Sequence, residues 1–460
     1  MIPTVTDVAS SETVGATTRA PLLRRIWPYL FVALLAVISS ALHVARVTEL
    51  SPVDETRNLD YMVRIYDEGH LVKLGDRIGQ TAMRLEACRG IDFALHGRDV
   101  DPPCSTQHFS ARDFRDDGYN NAVNHPPGYH LVTGAIAKAA TLLGISTNPL
   151  DPGRLVGGFW LAAGLMLALF AGELLGISRI PLVAAATIYA LAPDALGSAA
   201  AINPDGASVF AGGVILVAAL LWERGRISTW WLALAAAVAA ALKMTNFVAI
   251  GIVVLWFLTQ AYRQRRDPEP DRPTSRRYLI ACGAFVGGAV VTTVVWLGIA
   301  SVRATVDPLD LQSNQLYYQP HFPRKPLLEP QNLFAFFPPG GQAFRAPVLT
   351  TPVVSDISLI SGWLAAAALL ANTLRFSIRD RLSTLAACST CLLVIAGPAF
   401  IIATWMANKV VFQPSLRYSL SAIPIVIVLL ASLVRGRTAT VGIATYAAVS
   451  AAIILGTLIF

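Results

Sequence analysis

Three short polar constellations carry the residue types that could do chemistry in a chain otherwise dominated by apolar side chains. In ELSPVDETRNLDY, residues 49–61, the adjacent acids Asp54 and Glu55 follow directly on an apolar run. There a carboxylate can meet both a lipid headgroup and a water-borne group, although any one such acid is also what an ordinary solvated boundary looks like. In AINPDGAS, residues 201–208, Asn203 and Asp205 occupy a tight Pro-Gly turn between two apolar runs. Pro204 and Asp205 equally suit the first turn of a helix, where the dipole favours a carboxylate. In NHPPGYH, residues 124–130, two prolines stiffen the chain, and His125, Tyr129 and His130 offer polar contacts at headgroup depth.

The elements that must position these groups follow from composition. Of 460 residues, 54% are hydrophobic and 14% charged, against roughly 25% charged in a soluble domain. Twenty-four of the 65 charged side chains fall within 46–125, which leaves long stretches with no charge. This is the pattern of a polytopic membrane protein with one large polar loop. The net charge of +7 comes from small clusters at the ends of apolar runs, where basic residues orient helices in a bilayer; nucleic acid is not an expected partner.

An apolar helix needs about 20 residues to cross the hydrocarbon, and that ruler marks spans near 26–45, 154–175, 180–199, 206–222, 228–242, 245–261, 278–301, 355–374, 382–406, 414–434 and 438–459. Basic residues gather at Arg19/Arg24/Arg25, at 223–226, 263–277 and 375–381, and at Arg435/Arg437. Eleven spans put every cluster on one side, so the amino terminus is expected in the cytoplasm and the chemistry outside it. Counting 126–146 as a further span would break that rule, so it is expected to be an interfacial or re-entrant helix.

The expected organisation is a cytoplasmic tail, 1–25, disordered over its first 20 residues, and a single transmembrane domain, 26–460. Its first extracytoplasmic loop is 46–153, with juxtamembrane helices, and its second is 302–354. The stretch 262–277 reads as a solvated connector. Cys88 and Cys104 are the only cysteines of the outer loops. An oxidising exterior lets them pair, closing a loop worth about 3 kcal/mol. Cys282, Cys388 and Cys391 fall within spans and read as small apolar residues.

Taken together, the acidic pair Asp54-Glu55 in the first outer loop, Pro126-Pro127-Gly128-Tyr129 as a PPxY-like segment, and Pro204-Asp205 at the start of a later span resemble the pattern of GT-C glycosyltransferases. These polytopic enzymes use sugars activated on polyprenyl phosphate. The resemblance covers about residues 26–262. It implies that one acid of the Asp54/Glu55 pair is the general base, with Asp205 as a further acid, and that the outer cavity holds a lipid-phosphate sugar.

Such a transfer needs a carboxylate to take the acceptor proton, cations for the departing phosphate and a greasy groove for the lipid. His125, Tyr129, Asn203, Lys243, Arg345 and Arg417 are the substrate-binding candidates. Lys409 is a further boundary cation, and snorkelling to the interface is the ordinary alternative for each cation. Lys243, between two short apolar runs, is expected at a hairpin tip facing the outer leaflet. The segment 332–347, with four phenylalanines and Pro-Pro-Gly-Gly, reads as a lid, a lipid-facing wedge or an interfacial anchor.

The expected activity is inverting transfer of one sugar to a cell-envelope glycan or glycolipid acceptor. A transporter or lipid flippase and an envelope scaffold are the alternatives, but neither mid-membrane ionisable residues nor internal repeats stand out. No obligatory metal is expected, since Arg and Lys suffice for a monophosphate leaving group; two acids could still hold Mg²⁺ or Mn²⁺.

Overall fold

A computed structural model describes residues 22–91, 102–307, 317–339, 349 and 351–460. Arg345, most of the amino-terminal tail and residues 340–347 of the Pro-Pro-Gly-Gly segment lie outside the described residues.

All eleven apolar runs form helices, and the described residues contain no β-strand beyond isolated bridges. Among the described residues nine helices, some including a flanking 3₁₀ turn, are long and apolar enough to cross a membrane. The other two runs depart from a plain span. Helices α6, Arg179–Ala190, and α7, Pro193–Ala199, form one run bent by 64°, where Pro193 starts a new helix. Helix α9, Thr229–Leu242, has 14 residues, about 21 Å at 1.5 Å per residue, which is short of the ~30 Å of hydrocarbon. Its first turn carries the exposed Trp230 and Trp231, so its far end, Lys243, stops inside the protein.

The chain is therefore a multi-pass helical membrane protein with two unlike ends. One end gathers the basic turns. Most of the 262–277 stretch there is exposed, as its composition suggests, and a few contacts pin it: Gln264 and Glu269 exchange hydrogen bonds, Arg263 pairs with Glu269 and donates to the Arg379 carbonyl, and Arg272 pairs with Glu269.

The other end carries the long segment between α1, Leu22–Arg46, and α5, Leu150–Leu174. Within it lie α2, Glu55–Val63, α3, Gln80–Arg89, and α4, Gly128–Leu142. Asp60 ties this segment together, accepting from the Gly79 amide at 2.7 Å, Arg64 at 2.9 Å and Asn120 at 2.8 Å. Cys88 and Cys104 are joined as a disulfide, with Cα atoms 4.5 Å apart. Helix α4 has 15 residues, is not among the spans, and leaves Leu131, Val132 and Ile136 exposed. Two glycines let backbones meet near the site: a Cβ on Gly128 would collide with the Ala241 carbonyl, and one on Gly212 with that of Ser421.

Candidate active site

Glu55 and Asp54 are neighbours in sequence with opposite environments. Glu55 is fully buried and forms a two-pronged ion pair with Arg154, Nε to Oε1 and Nη2 to Oε2, both at 2.8 Å. It also accepts from the Ile202 amide at 2.9 Å and the Ser51 amide at 2.7 Å. Arg154 spends its remaining donors on the carbonyls of Val47 and Glu49. Both oxygens of Glu55 are thus engaged, and the pair locks the ends of α1, α2, α5 and the 201–205 turn together.

Asp54 keeps 39% of its side-chain surface exposed and borders a narrow cleft shared with Ser51, Pro52, Arg57 and Phe114. It is the residue before α2, with φ 59° and ψ 13° and no hydrogen bond from its side chain to its own helix. A left-handed conformation costs a non-glycine residue about 1–2 kcal/mol, and an Asp in this position ordinarily caps its helix from extended backbone. Here the carboxylate faces cations instead: Arg417 at 3.4 Å and Arg57 at 4.0 Å. Burial among protein atoms pushes its pKa up, but Arg417, Arg57 and His125 outweigh that and hold it below the usual carboxylate range.

Asp205 lies in the 3₁₀ turn Pro204–Ala207, which leads into α8, Ser208–Glu223; Asn203 caps that turn by accepting from the Asp205 amide at 2.9 Å. Asp205 is fully buried and pairs with Lys243 through Oδ1 and with Arg417 Nε through Oδ2 at 3.4 Å. Lys243 is 1% exposed, so it turns into the protein rather than toward the leaflet. The reason is physical: at the end of a short helix the ammonium cannot reach bulk water, and Asp205 is its counter-charge. The Tyr418 ring lies beneath both cations, 4.9 Å from Lys243 and 5.3 Å from Arg417. Arg417 therefore touches both acids, and its Nη1 is buried without a hydrogen-bond partner.

The NHPPGYH segment closes the other side. His125 sits among Asp54, Lys243 and Arg417, and burial together with the cations pushes its pKa down to about 3, leaving it neutral. Tyr129 and Asn203 are braces: the Tyr129 hydroxyl accepts from the Asn203 amide at 3.2 Å, and Asn203 Nδ2 donates to the Val53 carbonyl at 3.2 Å. Both are buried. The three constellations of the sequence thus meet in one place. Lys409 stands apart, exposed and stacked over Trp405 at 3.8 Å. From the aromatic segment, Phe336 is buried against Phe400 and Tyr418.

Four contributors were not singled out from sequence: Arg154, Arg57, Asn58 and Tyr418. Arg154 alone had a signal, as a charge at the mouth of an apolar run. Among the described residues no group of three or more potential metal ligands comes together, and the carboxylates that do meet are each occupied by a cation.

Fold and site together define a multi-pass helical membrane protein with an acid–cation network at the loop-bearing end of its bundle. No family model and no curated protein matches the chain. Among solved structures it is similar to the oligosaccharyltransferase AglB from Archaeoglobus fulgidus in complex with an inhibitory peptide and a dolichol-phosphate, with 14% identity and a TM-score of 0.45 over 95% of this chain and 56% of that one. The apo form of the Archaeoglobus fulgidus oligosaccharyltransferase gives 16% identity and a TM-score of 0.46 over the same shares. ArnT from Cupriavidus metallidurans bound to undecaprenyl phosphate gives 15% identity and a TM-score of 0.35 over 92% of this chain and 78% of that one. The chain spans little more than half the length of the archaeal enzyme.

Proposed function

We propose that the protein is an inverting glycosyltransferase that moves a sugar from a polyprenyl-phosphate donor to a hydroxyl of a cell-envelope glycan or glycolipid, at the extracytoplasmic face of a bacterial plasma membrane. The observation that carries the reading is Arg417, held between the accessible Asp54 and the buried Asp205 with one guanidinium nitrogen free. A base and an anion site are thereby adjacent, at the membrane-facing end where a lipid phosphate and a water-borne acceptor can meet. The positive-inside distribution of arginines supports the orientation.

In this reading the Asp54 carboxylate takes the acceptor hydroxyl proton as its oxygen forms a bond to the anomeric carbon. The bond from that carbon to the phosphate oxygen breaks on the opposite face, and its electron pair leaves with the polyprenyl phosphate. A single in-line displacement inverts the anomeric centre. Arg417 and Lys243 stabilise the departing phosphate, and Asp205 orients those two cations.

The charge balance suits this arrangement. The phosphate gains one negative charge as Asp54 becomes neutral, so the net charge of the buried site does not change during transfer. Glu55, with both oxygens engaged, holds the scaffold rather than the proton. Tyr129 and Asn203 hold the second constellation against the first, and no metal is needed in any step. The test is transfer from a synthetic polyprenyl-phosphate hexose by Asp54→Asn, Lys243→Met and Arg417→Met proteins in nanodiscs. Loss of turnover in the first and loss of donor affinity in the other two are expected.

A further inference from the structure

Beyond the groups that face the cavity, a hydrogen-bonded chain runs from α4 to the backbone of Asp54. Asn58 Nδ2 donates to the Asp54 carbonyl at 2.8 Å, and the Asn58 amide donates to the same oxygen at 3.0 Å. With its nitrogen committed to a carbonyl, the Asn58 side chain presents Oδ1 to His130 Nε2 at 2.9 Å, so His130 must donate from Nε2. Its other ring nitrogen is buried without a partner, as suits a neutral imidazole of that tautomer.

The ring is fully buried, stacked on Tyr61 at 4.4 Å and met edge-on by Tyr129 at 5.4 Å. Among the described residues His130 makes one hydrogen bond, and that contact leads to Asp54. The carbonyl it reaches belongs to a residue in left-handed backbone, where the usual helix cap has been given up so that the carboxylate faces Arg417. Strained backbone at a functional position persists only where its surroundings over-determine it.

We infer that His130 is a positioning residue for Asp54, acting through the Asn58 side chain to hold the left-handed peptide that aims the carboxylate. The inference rests on Asp54 being the base. His130→Phe keeps the aromatic stack on Tyr61 and Tyr129 but removes the donor. Asn58→Leu keeps the volume but frees the carbonyl from its second bond. His130→Gln keeps a donor.

The experiment measures release of polyprenyl phosphate from a short-chain polyprenyl-phosphate hexose by the full-length protein in nanodiscs, with water as acceptor, over a range of donor concentration. His130→Phe and Asn58→Leu are each expected to lower kcat by about ten- to a hundredfold, the scale of an ångström-sized misplacement, at nearly unchanged KM. The double variant should be no worse than the poorer single one, because both act through one contact. His130→Gln should stay within a few-fold of wild type.

Losses that multiply in the double variant, a loss confined to KM, or a His130→Gln protein as impaired as His130→Phe would overturn the inference. Wild-type kcat in the two single variants beside an inactive Asp54→Asn protein would overturn it while leaving the base in place. An active Asp54→Asn protein would remove the base assignment, and this inference with it. If His130→Phe does not fold, His130→Gln and Asn58→Leu decide the matter by the same criteria.

Discussion

Arg154 meets Glu55 through two parallel contacts of 2.8 Å, with neither side chain more than 2% exposed. One residue earlier, Asp54 keeps 39% of its side-chain surface open and touches its cations only at 3.4 and 4.0 Å. The adjacent acids are thereby divided into a closed, buried ion pair and an open acid with looser cation contacts.

Breaking the closed pair should cost stability. Removing one partner of a buried ion pair leaves an uncompensated charge, worth about 3–5 kcal/mol. Arg154→Met and Glu55→Gln are therefore expected to lower the unfolding temperature in detergent markedly, whereas Asp54→Asn is not, since Asn tolerates left-handed backbone. Thermal unfolding followed by intrinsic fluorescence checks the difference.

The Lys243–Asp205 pair should show coupling. Asp205→Asn strands a buried ammonium and Lys243→Met strands a buried carboxylate, so each single variant is expected to unfold more readily than the double Asp205→Asn/Lys243→Met protein. A double-variant cycle in unfolding free energy measures the coupling, expected at about 0.5–3 kcal/mol. Donor affinity should fall in both proteins that lack Lys243.

Acid should act on Asp54 late. Its pKa is held below the ordinary carboxylate value of about 3.9 by Arg417, Arg57 and His125 against the upward push of burial. The carboxylate is then ionised above that ordinary value and is neutralised only as pH falls through the depressed folded value. The acid limb of kcat/KM should accordingly lie below the usual carboxylate range in wild type. It should move to higher pH in Arg417→Met, where the largest of the lowering influences is gone.

Topology has its own check. With Cys282, Cys388 and Cys391 replaced by alanine, a cysteine at position 270 should resist a membrane-impermeant maleimide in intact cells and react after permeabilisation. One at position 117 should react in both. Labelling of position 270 from outside would reverse the orientation.

Much of this architecture was legible in the residues because the bilayer imposes one length scale: every apolar run of about span length became a helix, and the basic turns fell at one end of the bundle. The gathering of Asp54, Asp205, Lys243 and Arg417 was legible as a list of acids and cations near a boundary, since buried charge must find a counter-charge. The difference between Asp54 and Glu55 was not. It depends on Arg154, 99 positions away along the chain, and on a backbone angle that Asp, unlike glycine, does not advertise. Lys243 was misplaced for a related reason: hydropathy reports where apolar runs end, not that a 14-residue helix ends inside the protein. The 262–277 turn has the composition of a solvated linker and is mostly exposed; its contacts to Glu269 and the Arg379 carbonyl were not legible, because they depend on the fold.

The most direct test of Asp54 as the base is turnover by Asp54→Asn, with donor binding measured on the same preparation. Removing a general base typically costs 10²–10⁴-fold in rate. The account predicts a loss of that size in kcat from a polyprenyl-phosphate hexose, with binding of the lipid phosphate and the unfolding temperature close to wild type. An Asp54→Asn protein that turns over at near the wild-type rate would contradict it.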